Sequence, residues 1–208
     1  MAKYWTLSVL LFGLSATAQV NVENDSIILW SKDRQIIWDD FLSEEKVNVH
    51  KYDNIDEEDA SAVIVASIKI YPKEFSCIDI DYIEVVAQMN KSKSWAKFKT
   101  DIVLNHEQTH FDIAELYARK IRKEIKEFIE ENKECDLQGI SDIYYRLEEE
   151  HWQSQFLYDK EVRNCTDKKA FLCHNLEKQK EWDTKTACLL ELYKDYELVI
   201  DIGDLEME

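Results

Sequence analysis

The sequence is poor in the residues that interrupt regular structure. Its 208 residues include only three glycines and a single proline, Pro72. Because these two residue types mark most turns, the ends of helices and strands have to be found from hydrophobic periodicity and from polar runs. We find no internal repeat and no low-complexity segment, so periodicity and charge are the guides to how the chain is organised.

Positive charge is also scarce. Lysine and arginine number 26 against 43 aspartates and glutamates, and the formal net charge is −17 at pH 7. A surface with this excess of negative charge repels phosphate backbones and anionic membranes. We therefore expect no nucleic-acid partner. The acidity itself commonly serves solubility and does not indicate a cationic substrate.

Long hydrophobic runs are absent except for one short run near the first residue. It extends over about residues 4–14, follows Lys3, and precedes the small residues Ala16, Thr17 and Ala18. This three-part pattern is typical of a secretory signal peptide, and the run is too short to span a bilayer by itself. An uncleaved anchor is the alternative interpretation.

Cleavage after Ala18 would divide the chain into a signal peptide, residues 1–18, and a mature protein, residues 19–208. The mature length suits one domain that buries a sizeable core. Because no second long apolar segment follows, we expect a secreted or periplasmic protein without stable membrane insertion after signal cleavage.

The cysteine count is low and odd, at five. Cys165 and Cys173 flank the polar segment TDKKAFL, and we predict a disulfide between them because it would restrain a loose loop. By loop-closure entropy such a bridge contributes about 2.5 kcal/mol, less any strain. Five reduced and partly buried cysteines are the alternative. The remaining three are Cys77, Cys135 and Cys188.

The first half of the chain is predicted to be rich in strands. Residues 27–30 and 35–38 have the composition of two short strands, and residues 44–59 form an acid-rich surface loop. Two longer β-branched and alternating segments follow at 61–71 and 78–89, and they suit a hairpin or a neighbouring pair. The sequence thus indicates an antiparallel sheet ahead of residue 100.

The period changes to that of a helix from about residue 100. A long amphipathic helix is predicted to end near residues 131–136, with further helices at about 141–160 and 176–196. The residues that recur at three- and four-residue steps in the first helix are Val103, His106, His110, Ile113, Tyr117, Ile121, Ile125 and Phe128. The predicted fold class is therefore α+β, an antiparallel sheet followed by a long helix and two further helices.

The long helix carries the motif HEQTH, which fits the pattern H-E-x-x-H. His106 and His110 are four residues apart and lie on one helix face, so both imidazoles can reach a single zinc ion. Glu107 is rotated by about 100 degrees and can lie beside the ion without binding it. There it would act as general base toward a zinc-activated water.

Two histidines on an apolar helix face can also be ordinary core residues. Burying their ring nitrogens without partners is costly, however, and one ion would satisfy two of them. The motif does not identify the third zinc ligand, since Leu116 lies where a longer H-E-x-x-H pattern would continue. The candidates that the residues leave open are Glu148, Glu149, Glu150, His151 and His174.

Residues 94–121, SWAKFKTDIVLNHEQTHFDIAELYARKI, resemble the central part of an uncharacterised bacterial family, domain of unknown function 922. Its members show an S-W motif ahead of an H-E-x-x-H-F-D-I helix. An early W-x-D-F element of the family is matched by residues 38–41. A later family segment, Y-D-x-x-T-x-H-G followed by Q and W, is matched in part by Tyr158, Asp159, His174, Gln179 and Trp182.

The family is often described as predicted secreted zinc-dependent proteases, so the resemblance implies a zincin-like domain of that activity. It implies His174 as the third zinc ligand, because His174 aligns with the histidine of the later family segment. It implies Asp159 as a partner that orients a ligand by a hydrogen bond.

The residues and the resemblance together predict a secreted metallopeptidase acting on a peptide or protein. Zn²⁺ would be held by His106, His110 and His174, and Glu107 would be the general base. One alternative is a non-catalytic envelope or binding protein, in which Glu148 or Asp159 closes the zinc site as a fourth ligand. The other is a metal hydrolase of a non-peptide cell-wall amide or ester.

Overall fold

The structure is a computed structural model that describes residues 25–44, 60–71, 82–132, 136–163, 174–196 and 200–201. The predicted signal peptide, nearly all of the acid-rich loop and the predicted Cys165–Cys173 disulfide lie outside these residues. Within them, Cys188 is a free thiol at the surface. No helix in the described ranges is long and apolar enough to cross a membrane.

The described chain is a mixed α+β structure with an antiparallel sheet and three α-helices, one of them long. The strands are β1 (Ile27–Leu29), β2 (Ala62–Val63), β3 (Ala66–Tyr71), β4 (Tyr82–Asn90), β5 (Trp95–Ala96) and β6 (Ile200–Asp201). The helices are α1 (Asp101–Asn132), α2 (Leu137–Val162) and α3 (Leu176–Leu192). Two short 3-10 helices are formed by Trp38–Asp40 and Lys194–Tyr196.

The main sheet is built around β4. It pairs antiparallel with β3 on one side and with β1 on the other, and its first two residues pair with β6. Among the described strands, β3 therefore lies at an edge of the sheet. Ala66 and Ile68 of β3 and Ile83, Val85, Ala87 and Met89 of β4 are buried at alternate positions, as expected for a strand face on a core. Glu84 and Gln88 on the other face of β4 are buried as well. The core face packs against α1, which also contacts α2 and α3.

The segment predicted as one strand at 61–71 forms two strands in different sheets. Its first part, β2, pairs with β5, whereas its second part, β3, pairs with β4. The break lies at Ile64 and Val65, whose backbone N–H groups donate to the side chains of Glu107 and Ser94. Side-chain acceptors thus replace a strand partner at the point where the chain crosses between the sheets.

The prediction of a strand at 35–38 was wrong. The N–H of Ile36 donates to Gln108 Oε1 at 2.9 Å, and the N–H of Ile37 donates to Asp40 Oδ2 at 3.0 Å. Residues Trp38–Asp40 then form a 3-10 helix, with Asp40 buried and paired with Arg34 at 3.0 Å. The apolar residues here are therefore fixed by tertiary side-chain contacts and not by a sheet.

The long helix is confirmed over Asp101–Asn132, close to its predicted bounds. The second helix begins four residues before the predicted start because Asp136 caps it, accepting the N–H groups of Gln138 and Gly139. The third helix starts as predicted, behind the cap residue Asn175, but ends at Leu192 and continues as a 3-10 turn.

We expect that replacing Asp136 by alanine lowers the free energy of unfolding by about 1 kcal/mol, since two backbone donors at the start of α2 lose their acceptor. Urea denaturation followed by circular dichroism measures this. The matched control is Asp136→Asn, which keeps an acceptor oxygen and should unfold close to wild type. An alanine variant as stable as wild type would show that the cap does not stabilise α2.

Candidate metal centre

Three side chains from two helices meet in the core between α1 and α2. His106 and His110 come from successive turns of α1, and Asp159 comes from α2. Asp159 Oδ1 lies 3.0 Å from His106 Nε2 and 3.3 Å from His110 Nε2, and the two Nε2 atoms are 3.2 Å apart. All three residues are buried, and together they form a group of donor atoms that could hold a metal ion.

The separations fit a tetrahedral metal ion. Zinc bonds to nitrogen and oxygen are about 2.0–2.1 Å long, so two ligands of a tetrahedral zinc ion lie about 3.3 Å apart. The three observed separations of 3.0, 3.2 and 3.3 Å are close to that value. Two imidazoles and one carboxylate are also a ligand set that zinc accepts. The residues present therefore fit zinc with three protein ligands.

The orientation of the His110 ring is fixed by Gln155, one turn before Asp159 on α2. The amide nitrogen of Gln155 donates to His110 O at 2.9 Å and to His151 Nε2 at 2.8 Å. Both partners are acceptors here, so the amide oxygen must face His110 Nδ1, which is 2.5 Å away. His110 consequently donates from Nδ1, and its Nε2 is directed at Asp159 and His106.

The titration of the three groups is strongly coupled. Burial lowers the pKa of His106 to about 4, although the hydrogen bond to Asp159 opposes this. Burial also disfavours charge on His110, but the Asp159 carboxylate outweighs it and raises the pKa of His110 to about 9. Burial would raise the pKa of Asp159, yet His110 and the two imidazole hydrogen bonds hold it well below its usual value. The site thus favours one positive charge among three buried donors, and a cation can supply it.

His174 lies next to this group without being one of its three members. Its ring meets the ring of His106 edge to face, with centroids 4.9 Å apart. Its Nε2 is buried and has no hydrogen-bond partner among the described residues, and the same is true of His106 Nδ1. The predicted role of His174 as third ligand stays a prediction, while Asp159 supplies the third donor atom of the compact group.

Glu107, the predicted general base, lies on the side of α1 that faces the sheet. It is buried, and its Oε2 accepts the backbone N–H of Ile64 at 2.8 Å. Burial raises the pKa of Glu107, with the neighbouring His110 charge and the Ile64 hydrogen bond opposing the shift. The carboxylate is therefore held in one position at the junction between the helix and the β2–β3 crossing.

Three other ligand candidates on α2 form hydrogen bonds or ion pairs outside the compact donor group. His151 is buried and accepts a hydrogen bond from Gln155, which makes it a partner of the group that orients His110. Glu149 accepts from Gln153, and Glu150 pairs with Arg146 at 3.1 Å, both within the same helix. Neither these two carboxylates nor His151 belongs to the compact donor group.

Asp159 and Gln155 were not identified as central residues from the motif alone, although a signal for them exists. His151, Gln155 and Asp159 recur at four-residue steps and so lie on one face of α2. The same spacing separates His106 and His110 on α1. Two helices with polar residues at matching steps on otherwise apolar faces indicate a shared buried polar site.

Polar side chains of α3 form a hydrogen-bond network next to the candidate metal centre. The Tyr158 hydroxyl donates to Gln179 Oε1 at 2.8 Å, and the Tyr158 ring stacks on His106 with centroids 4.7 Å apart. Gln179 Nε2 donates to Thr109 Oγ1 and to Asp183 Oδ1. Gln179, one of the residues that partly match the later family segment, thus holds the tyrosine that packs against a predicted ligand.

A cleft of about 240 Å³ opens beside the centre, between the β3 edge and α2. Of the three donor residues it reaches His110, together with Gln155. Its other lining residues include Ala66, Lys69, Lys93 and Trp152. The cleft therefore gives an extended ligand access to His110, one of the three donor residues.

We expect that Gln155→Leu weakens zinc binding by about 10- to 100-fold, because His110 loses the partner that fixes its tautomer. Competition with a chelating indicator measures the dissociation constant. Gln155→Glu keeps an acceptor for His110 Nδ1 and should retain most of the affinity. The matched control is Gln153→Leu, exposed on the same helix. Equal affinity in wild type and Gln155→Leu would contradict the positioning role.

Residues 84–166 match a family model described as a bacterial protein of unknown function (DUF922). The matched range contains α1, nearly all of β4, and α2, and therefore His106, His110 and Asp159, whereas residues 38–41 and His174 lie outside it. No match was found among curated proteins or among solved structures. Over residues 84–166, the chain is accordingly similar to the DUF922 family of bacterial proteins, as the central motif predicts.

Proposed function

We propose that the protein is an exported zinc-dependent hydrolase of zincin-like architecture that cleaves peptide bonds. The observation that carries the proposal is the set of three buried donor atoms of His106, His110 and Asp159, all 3.0–3.3 Å apart. Such a set leaves one position of a tetrahedral ion open, which is the arrangement of catalytic zinc sites. The family match and the export signal are compatible with this function and do not by themselves specify it.

The protein's own groups have separate roles in the proposed reaction. Zinc, when bound, would supply Lewis-acid polarisation and a water of lowered pKa. Glu107 is the general base that accepts the proton of the attacking water and returns it to the leaving amine. Its hydrogen bond from Ile64 holds one carboxylate oxygen in place, so the base is positioned before a substrate arrives.

Support for a peptide substrate comes from the edge of β3. Val65 O accepts the N–H of Asn90 in β4, so the backbone groups of Ala66 point away from the sheet, because directions alternate along a strand. Ile68 O also points outward and accepts the Tyr144 hydroxyl at 2.9 Å. Between Ile64, bound to Glu107, and Ile68, bound to Tyr144, the outward N–H and C=O of Ala66 can pair with an extended peptide.

A second candidate function is a structural zinc site. The observation that favours it is the buried and unpartnered Nε2 of His174, whose ring lies 4.9 Å from that of His106. If His174 turned toward the donor group, it would supply a fourth protein ligand and close the site. Zinc would then tie α1, α2 and the start of α3 together without catalysing a reaction.

We expect the purified protein to contain one zinc ion per chain by elemental mass spectrometry. His110→Ala and Asp159→Asn should lose it, because each removes one of three donor atoms. His174→Ala tests for a fourth ligand: an open site of His106, His110 and Asp159 keeps its zinc with unchanged affinity, whereas loss of zinc in both the His174 and the Asp159 variants indicates a closed structural site. Wild-type protein that stays metal-free after incubation with zinc would refute both.

Replacing Glu107 by glutamine should leave zinc content unchanged and lower hydrolysis of unfolded casein by about 10²- to 10⁴-fold. The amide oxygen can still accept the N–H of Ile64, so the fold around the site is preserved. Glu127→Gln is the matched control, because Glu127 lies exposed on the same helix and pairs with the surface residue Lys123. Full activity in the Glu107 variant would exclude its role as general base.

A further inference from the structure

We propose that the cleft along β3 selects extended peptide segments that carry carboxylate side chains, and that Lys69 and Lys93 recognise them. The proposal rests on the proposed function, because it concerns the substrate of the same site. It is carried by the charges that line the cleft and by the place of the two lysines relative to the open edge at Ala66.

The cleft differs in charge from the rest of the chain. Acidic residues outnumber basic ones by 43 to 26 in the whole sequence. The described lining of the cleft nevertheless contains two lysines and neither aspartate nor glutamate. An acidic protein repels anionic ligands in general, whereas a cleft lined by two ammonium groups and no carboxylate can receive one.

The two lysines lie near the two ends of the segment from Val65 to Lys69, which contains the open edge at Ala66. Lys69 belongs to β3 itself, just beyond Ile68. Lys93 lies in the turn after β4 that holds Val65, where the N–H of Val65 donates to Ser94 Oγ. Val65 and Lys69 are four residues apart, which corresponds to about 13 Å along an extended strand. A bound strand of about four residues would therefore have an ammonium group near each end.

Both lysines are free to bind a ligand within the described structure. Neither forms an ion pair with any residue of the described ranges, and Lys93 is exposed whereas Lys69 is half-buried. The backbone of Lys93 is fixed, because its N–H donates to Asn90 Oδ1 at 3.0 Å and to Asn90 O. The long side chains can adjust to a carboxylate, while their anchoring points remain defined.

The test uses the zinc-loaded Glu107→Gln protein, so that binding is measured without cleavage. Two pools of blocked octapeptides serve as probes, with glutamate in one pool and glutamine in the other at the same alternating positions. We expect the glutamate pool to bind about three- to tenfold more tightly by isothermal titration. The preference should shrink as salt is raised, because the charges lie at a water-exposed rim.

Lysine variants test whether the preference for the glutamate pool comes from the cleft. Lys69→Gln combined with Lys93→Gln should make the two pools bind equally, whereas Lys180→Gln, which removes an exposed lysine of α3 outside the cleft, should keep the preference. Equal binding of both pools to the parent, no binding of either, or an unchanged preference in the double variant would overturn the proposal. If the proteins retain zinc and bind the glutamate pool selectively, but the wild type does not cleave it, the proposed hydrolase function would be overturned instead.

Discussion

The carboxylate of Asp159 between two imidazoles is the interaction on which the centre of the structure depends. A buried carboxylate without compensation is strongly destabilising, and here the compensation comes from His106 and His110 at 3.0 and 3.3 Å. The contact fixes how α2 lies against α1, since all three side chains are buried in the interface. A cation at this point would balance the carboxylate without relying on a protonated histidine.

The rest of the fold holds these side chains from three directions. From α2, Gln155 makes two hydrogen bonds with His110, one with Nδ1 of the ring and one with the backbone carbonyl oxygen. From α3, Gln179 holds Tyr158, which stacks on His106. From the sheet, Ile64 holds Glu107 at the crossing between β2 and β3. The site is therefore built on helices and a strand junction, which favours a defined geometry over a flexible one.

Much of this could be predicted from the sequence, because periodicity and a motif on a helix are local signals. The long helix, the pairing of His106 with His110 on one face, and the antiparallel sheet followed from them. The strand expected at 35–38 does not form, because the side chains of Gln108 and Asp40 accept the backbone N–H groups there. Gln108 is remote in sequence, and the local pattern identifies neither side chain as a partner. The four-residue spacing of His151, Gln155 and Asp159 places them on one face of α2. Which residues of α1 they meet depends on how the two helices pack, and the spacing does not specify that.

The most direct measurement is anomalous diffraction at the zinc edge from crystals of the purified protein. We expect one peak per chain, about 2.0–2.1 Å from His106 Nε2, His110 Nε2 and an oxygen of Asp159. No peak at these residues in zinc-soaked crystals, or a peak bound by other side chains, would contradict the metal centre and the hydrolase built on it.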